Sequence, residues 1–454
     1  MGTASQTLAG YVADLRFDDL PAEVTRAATR HLLDACGVAL AAAATGHDAP
    51  VADMIRSWAG AREASVVGYD YGAPAPWAAM VNGALTHTLE FDDTHVESLV
   101  HPSSFVMPAA LAVGEEVGAS GRDVLLAAVA GYEVATRLGA AAPGRFEARG
   151  LDATGICGTF GAAAVAAKLW GLSAEDIASA FGIAGSRSSG LFTLLPDGSD
   201  AKRLLPGWAA HAGIIAADLA RRGAAGPSTI FEEPHGLYHA LLNGEEPDLA
   251  RIVAGLGTTW ETTRIAIKPY PACDHLHAFI DAAREANVKW ADIDEVEAAV
   301  APAVIGIVAE PRAARLRPAT THAAQFSLPF TIGSVIVGGR EGIELFEEEA
   351  RHDRRVLMVA ERVHVVADPT LPFPRTYGGR LSINTRGGRT LEIDELVNRG
   401  HPDRPLDDEE LRQKFLTNAR RRLGARGARR ALVALERIAE AGAIDDVTAT
   451  LRTP

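Results

Sequence analysis

Cysteine is nearly missing from this chain: Cys36, Cys157 and Cys273 are the only three in 454 residues. The count is odd, the spacings are wide and no CxxC pair occurs. That excludes a disulfide framework and gives no local iron–sulfur signature. A reducing, cytoplasmic setting is the expectation. A long apolar run is also missing. The most apolar stretch, GVALAAAA at residues 37–44, is too short to span a bilayer. The opening MGTASQTLAGYVADLRF has no basic region ahead of an apolar one, so no signal peptide is expected. Positive charge is in deficit. The formal net charge of −14 argues against nucleic-acid partners and against an anionic membrane surface. An anionic substrate must therefore be held by a local cluster of Lys and Arg working against the overall field.

What is present is ordinary globular material, 48% hydrophobic and 22% charged, long enough for two or three domains. Helical spacing predicts helices over residues 18–46 (Asp18 or Asp19 capping, Pro21 in the first turn, Gly46 as the stop), 76–89, 104–118, 121–138 and 158–171. Ser173 with Asp176 resembles a capping box for the next helix. Ala, Val, Leu and Gly fill these segments, as suits a bundle of closely approaching helices. Near residue 266 the pattern changes. Strand-like alternation is read at 294–308 and 362–368, and a hairpin at 379–393 with Gly387-Gly388 in its turn. Residues 321–340 and 341–351 read as helical, and helical spacing returns after Pro405.

The chain is organised around residues 86–104, THTLEFDDTHVESLVHPSS. Glu90, Asp92, Asp93, His95, Glu97 and His101 fall within twelve residues. Pro102 keeps His101 out of the α region, and Ser103 or Ser104 is placed to cap the following helix. Held between two apolar helices, these groups suit acid–base chemistry; the plain alternative is a surface acidic loop with a helix cap. Three further polar loops stand out: GLDATG (150–155), DGSDAKR (197–203) and IKPYPACDHLHAF (267–279). Three site chemistries compete. In the first, Asp93 and His101 carry protons while Lys202 and Lys268 hold an anion. In the second, Asp92, Asp93, His95 or His101 join His275 and His277 around a metal, although no HExxH occurs. In the third, Cys273 is a nucleophile beside a His. His211, inside WAAHAGII, reads as a satisfied core histidine.

Taken together, NGALTHTLEFDDTH with HPSS, GLDATGICGTFGAAAVAAKLWGL, DAKRLLPGWAAHAGIIAADLARRG, IKPYPACDHLHAFIDAA and QFSLPF resemble the MmgE/PrpD family, which includes 2-methylcitrate dehydratase, cis-aconitate decarboxylase and iminodisuccinate epimerase. The resemblance implies a mainly α fold: an all-helical domain from both chain ends (1–266 and 405–454) and a smaller α+β lid domain (267–404), with the family's site between them. It implies a homodimer and no metal or organic cofactor. The matching catalytic positions are Asp93, His101, Lys202 and Lys268. Thr94, Asp152, Arg187 and His275 are the implied substrate-binding positions. The family often carries His where this chain has Asp152, and a carboxylate there repels a tricarboxylate but attracts an amino or imino group. The implied activity is that of a lyase or isomerase on a small di- or tricarboxylate, by proton abstraction next to a carboxylate. A dehydratase of the 2-methylcitrate type comes first, with epimerisation of an imino- or amino-dicarboxylate and cis-aconitate-type decarboxylation as alternatives. A non-catalytic carboxylate-binding protein is the alternative of another class.

Overall fold

Small side chains set how closely the helices of this protein approach. In the computed structural model, which describes residues 2–47, 49–58, 60–192, 200–232, 234–339 and 342–453, helices dominate, and the largest sheet has four strands. The chain forms two units. The first comprises residues 1–88, 92–265 and 407–454; the second comprises 89–91 and 266–406.

In the first unit the helices are α1 (Ala4–Asp14), α2 (Ala22–Ala43), α3 (Ala49–Ser57), α4 (Ala75–His87), α5 (Ser103–Val117), α6 (Gly121–Ala140), α7 (Ala153–Leu169), α8 (Ala174–Gly185) and α9 (Ala201–Arg221). A long C-terminal helix, Asp408–Glu436, packs on α2 and is kinked at Gly424 (φ 67°, ψ 171°). Short polar caps start several of these helices. Thr3 with Gln6 and Ser120 with Asp123 form capping boxes, and the Ser173 side chain accepts from the Asp176 N–H. Glycine lets α4 and α9 cross at contact distance. A Cβ on Gly83 would stand 2.6 Å from the Gly207 Cα, and one on Gly207 would stand 2.2 Å from the Met80 carbonyl oxygen. α4 ends at His87, and Lys202 is the second residue of α9.

The second unit holds a four-stranded sheet: β1 (Ile293–Val300), β2 (Val363–Ala367), β3 (Gly379–Thr385) and β4 (Thr390–Glu395), in the order β2-β1-β3-β4. β1 pairs in parallel with β2, Val296 opposite Val363, and antiparallel with β3, Val296 opposite Ile383. The helices His277–Ala286, Leu328–Gly338 and Arg354–Glu361 belong to this unit. No helix among the described residues is long and apolar enough to cross a membrane.

Several boundaries differ from the sequence-based expectation, each for a local reason. The first long helix starts at Ala22 with Pro21 as an N-cap lacking a side-chain bond; Asp18 and Asp19 lie in a separate 3-10 turn. Residues 294–308 are not one strand. Pro302 brings no N–H to the ladder, so β1 ends at Val300 and 302–308 turn helical. Residues 321–340 break at Ser327, whose side chain caps Leu328–Gly338, and that helix ends at left-handed Gly339. The GLDATG segment is non-helical only in its first half: Gly150 and Leu151 precede the N-cap Asp152, and α7 begins at Ala153. Within DGSDAKR, 197–199 lie outside the described residues, and Ala201 already opens α9. The hairpin forms, with Gly388 left-handed in its turn and the Gly388 N–H donated to Thr385 O.

Candidate active site

The polar stretch after α4 is not a surface loop. Asp92, Asp93, Thr94 and His95 are each no more than 3% exposed. Buried carboxylates and imidazoles persist only when partnered, and here each partner is identifiable. Leu99 holds a left-handed backbone (φ 56°), a strained conformation for a non-glycine residue that turns the chain back toward Pro102.

Asp93 is spent on structure. Its Oδ1 accepts the Ser103 N–H at 2.9 Å and its Oδ2 the Ser103 hydroxyl at 2.5 Å. The Ser103 oxygen also meets the Tyr132 hydroxyl at 2.7 Å, and His31 Nδ1 lies 3.3 Å from Asp93 Oδ2. Burial, then the Asp93 charge, pushes the Tyr132 phenol well above its ordinary pKa. Neither Ser103 nor Ser104 is the helix cap expected from the sequence. Pro102 is the N-cap without a side-chain bond, Ser103 serves Asp93, and the Ser104 hydroxyl donates to His101 O.

His101 differs from its neighbours in being partly open, with 17% of its side chain exposed. Its Nδ1 is 3.0 Å from the Asp93 carbonyl oxygen and 3.1 Å from Thr94 Oγ1. A carbonyl only accepts, so Nδ1 carries the hydrogen and the lone pair resides on Nε2. The His101 N–H donates to Thr154 Oγ1 at 3.1 Å, tying the loop to the first turn of α7. Behind His101 lie two groups closed to solvent. Asp92 Oδ2 is 3.9 Å from His101 Nδ1 and 2.7 Å from His87 Nδ1, and the two imidazole rings are 5.1 Å apart, centroid to centroid.

The other expected residues of this unit are distributed as follows. Asp152 caps α7, its Oδ1 accepting the Gly155 N–H at 3.1 Å, and it is 5% exposed. Lys202 is buried in the first turn of α9. That position opposes both burial and the helix dipole, which favours anions there. Arg187 lies exposed on the turn after α8, with no side-chain partner among the described residues. His211 is only half-buried. It lies against Trp77 at 4.1 Å and Trp208 at 5.5 Å, and its buried Nε2 has no hydrogen-bond partner among the described residues. It is therefore not the satisfied core histidine expected.

In the second unit Lys268 is 2% exposed. Its Nζ donates to the Glu90 carbonyl at 3.3 Å and lies 3.9 Å from Glu90 Oε2 and 3.7 Å from Asp274 Oδ2. His322 Nδ1 stands 3.9 Å from Glu90 Oε1. Glu90 has a left-handed backbone (φ 51°) and is buried. His275 packs on Tyr377 at 4.6 Å, and burial lowers it to about 4. His277 donates its Nε2–H to Ala272 O and is likewise lowered by burial to about 4. Burial pushes the Cys273 thiol up to about 12, which removes the thiolate that nucleophilic catalysis needs.

Two groups among the described residues have metal-ligand spacing: His87/Asp92/His101 and His95/Glu97/Glu261. Neither contains His275 or His277. The second already holds a cation, because Arg251 lies 2.9 Å from Glu97 and 2.8 Å from Glu261. Burial alone would raise Glu261, but the His95 hydrogen bond and Arg251 hold it down at about 2. In the first group the shortest contact is between His87 Nδ1 and Asp92 Oδ2, at 2.7 Å.

Sequence reasoning missed His31, His87 and Tyr132. His87 was within reach: it closes an apolar helix five residues before Asp92. His31 and Tyr132 carried no signal, because they sit in ordinary helical periodicity.

A model described as the MmgE/PrpD N-terminal domain matches residues 6–250, and the MmgE/PrpD C-terminal domain matches 270–440. The cis-aconitate decarboxylase-like protein oryM of Aspergillus oryzae is 28% identical over 437 residues, 91% of this chain and 90% of that protein. Cis-aconitate decarboxylase of Aspergillus terreus is 29% identical over 294 residues, 62% of this chain and 60% of that protein. The Mus musculus enzyme of that name is 27% identical over 440 residues, covering 93% and 88%. With both domain models matched in order along its length, the chain belongs to the MmgE/PrpD family.

Proposed function

We propose that this protein is a lyase acting on a small di- or tricarboxylate through a carbanion formed next to a carboxylate. The observation that carries this is His101: partly open, with Nδ1 fixed by a carbonyl so that Nε2 is the proton acceptor, and backed by a buried carboxylate. An imidazole near neutral pKa is the side chain best matched to such proton transfer. Lys202 and Lys268 are assigned to the substrate carboxylates, where negative charge grows as the carbanion forms. Asp93 and Thr94 set the orientation of His101, and His275 and Arg187 complete the substrate-binding set.

Among lyase chemistries, the names of the relatives favour decarboxylation: carbon dioxide leaves, the electron pair of the broken bond stays on the remaining carbon, and His101, having taken a proton from solvent at Nε2, delivers it to that carbon. Dehydration of a 2-methylcitrate-type substrate uses the same groups in the order proton removal, then loss of hydroxide. Epimerisation of an imino- or amino-dicarboxylate is the second reading, favoured by Asp152. No metal or organic cofactor enters this scheme. His101→Gln and Lys268→Ala are each expected to lower turnover of a di- and tricarboxylate panel about a hundredfold or more. Wild-type rates in both variants sink the site assignment, and binding without product in the wild type points to the non-catalytic carboxylate-binding alternative.

A further inference from the structure

Resting on the reading of His101 as the proton carrier, we infer that His87 is a positioning residue that acts on His101 through Asp92. Both imidazoles face one carboxylate oxygen, Asp92 Oδ2: His87 Nδ1 is hydrogen-bonded to it at 2.7 Å, and His101 Nδ1 stands 3.9 Å away, within reach of its charge. Exposure runs in the same direction. His101 has 17% of its side chain open, whereas the side chains of His87 and Asp92 show 1% and 0%. A carboxylate closed to water keeps its charge only with a donor, and the His87 Nδ1–H is that donor. The arrangement follows general acid–base logic: a carrier that meets solvent, a carboxylate behind it, and a third group fixing the carboxylate.

The surroundings narrow the role of His87. Asp93, the next carboxylate along the chain, has both oxygens committed to Ser103, with His31 beside them. Thr94 and the Asp93 carbonyl face the His101 ring but carry no charge. Asp92 is therefore the charged group placed to balance a proton on His101. The His87 Nε2, buried, makes no hydrogen bond among the described residues, so the ring's polar contact runs through Nδ1 to Asp92. Loss of the Nδ1–H leaves the Asp92 charge without its donor in a dry site. The carboxyl then takes up a proton more readily, and a neutral Asp92 no longer favours the protonated form of His101.

Two substitutions separate positioning from structure. His87→Asn keeps an N–H near the place of Nδ1, whereas His87→Leu removes it. His87→Leu is expected to lower kcat about tenfold or more with little change in KM, and to move the limb of kcat/KM that reports His101 downward by about half a pH unit or more. His87→Asn is expected to recover most of both. Nitrogen-15 NMR of the His101 ring gives a readout independent of turnover: its titration midpoint is expected to fall in His87→Leu and to return in His87→Asn. A His101 midpoint unmoved by both variants overturns the inference, as does equal impairment of the two variants with an unchanged pH profile. A midpoint that moves and recovers, in a protein whose wild type converts no acid of the panel, supports the coupling and sinks the catalytic reading instead.

Discussion

At the scale of single residues, burial decides which titratable groups are held neutral. Burial lowers His211, His275 and His277 to about 4, against an ordinary value near 6.5. Between those limits the unfolded chain binds a proton that each folded imidazole refuses. Their stability contribution is full above about pH 6.5 and is lost as pH falls toward 4. Asp34 works the other way. Burial raises it to about 6 despite Lys414 at 2.6 Å, so it adds stability as pH falls through that lower window. Burial raises Glu147 in the same way, to about 7, so three groups stand against two and the balance is a net loss on acidification. Thermal melts should show a lower Tm at pH 5 than at pH 7, and His211→Phe should lose less between those conditions. An identical pH slope in His211→Phe removes His211 from this account.

At the scale of elements, the site depends on where helices begin and end. His87 is the last residue of α4, Lys202 the second of α9, and Asp152 the cap of α7. Glycines at the α4–α9 crossing let the two helix backbones touch. Gly207→Ala places a methyl group against the Met80 carbonyl, a backbone atom with little room to yield. The expected loss is roughly 1–3 kcal/mol or more, read as a lower urea midpoint with an unchanged m-value. A midpoint within about 0.5 kcal/mol of wild type means the helices move apart freely. Asp152 has a local structural task, since its side chain caps α7 through the Gly155 N–H and a carboxylate is among the favoured N-caps.

At the scale of the whole molecule, the chain ends meet in one unit. Lys414 of the C-terminal helix pairs with Asp34 of α2, and a Cβ at Gly37 would stand 2.9 Å from the Phe415 ring. We propose the homodimer implied by the family as the working assembly. Light scattering should give twice the 47.7 kDa of one chain at micromolar concentration, and a monomer mass there overturns it.

The residue types and their order along the chain were legible at once. The helix-rich pattern, the small alternating region after residue 266, the hairpin around Gly388 and the polar segments carrying the family match all follow from spacing and composition, which act locally. Burial of 92–95, the diversion of Ser103 to Asp93 and the approach of two histidines to Asp92 were decided by tertiary structure alone. Hydrogen bonds to buried carboxylates are awarded by distance in space, and sequence spacing does not encode which of two adjacent aspartates turns toward which imidazole.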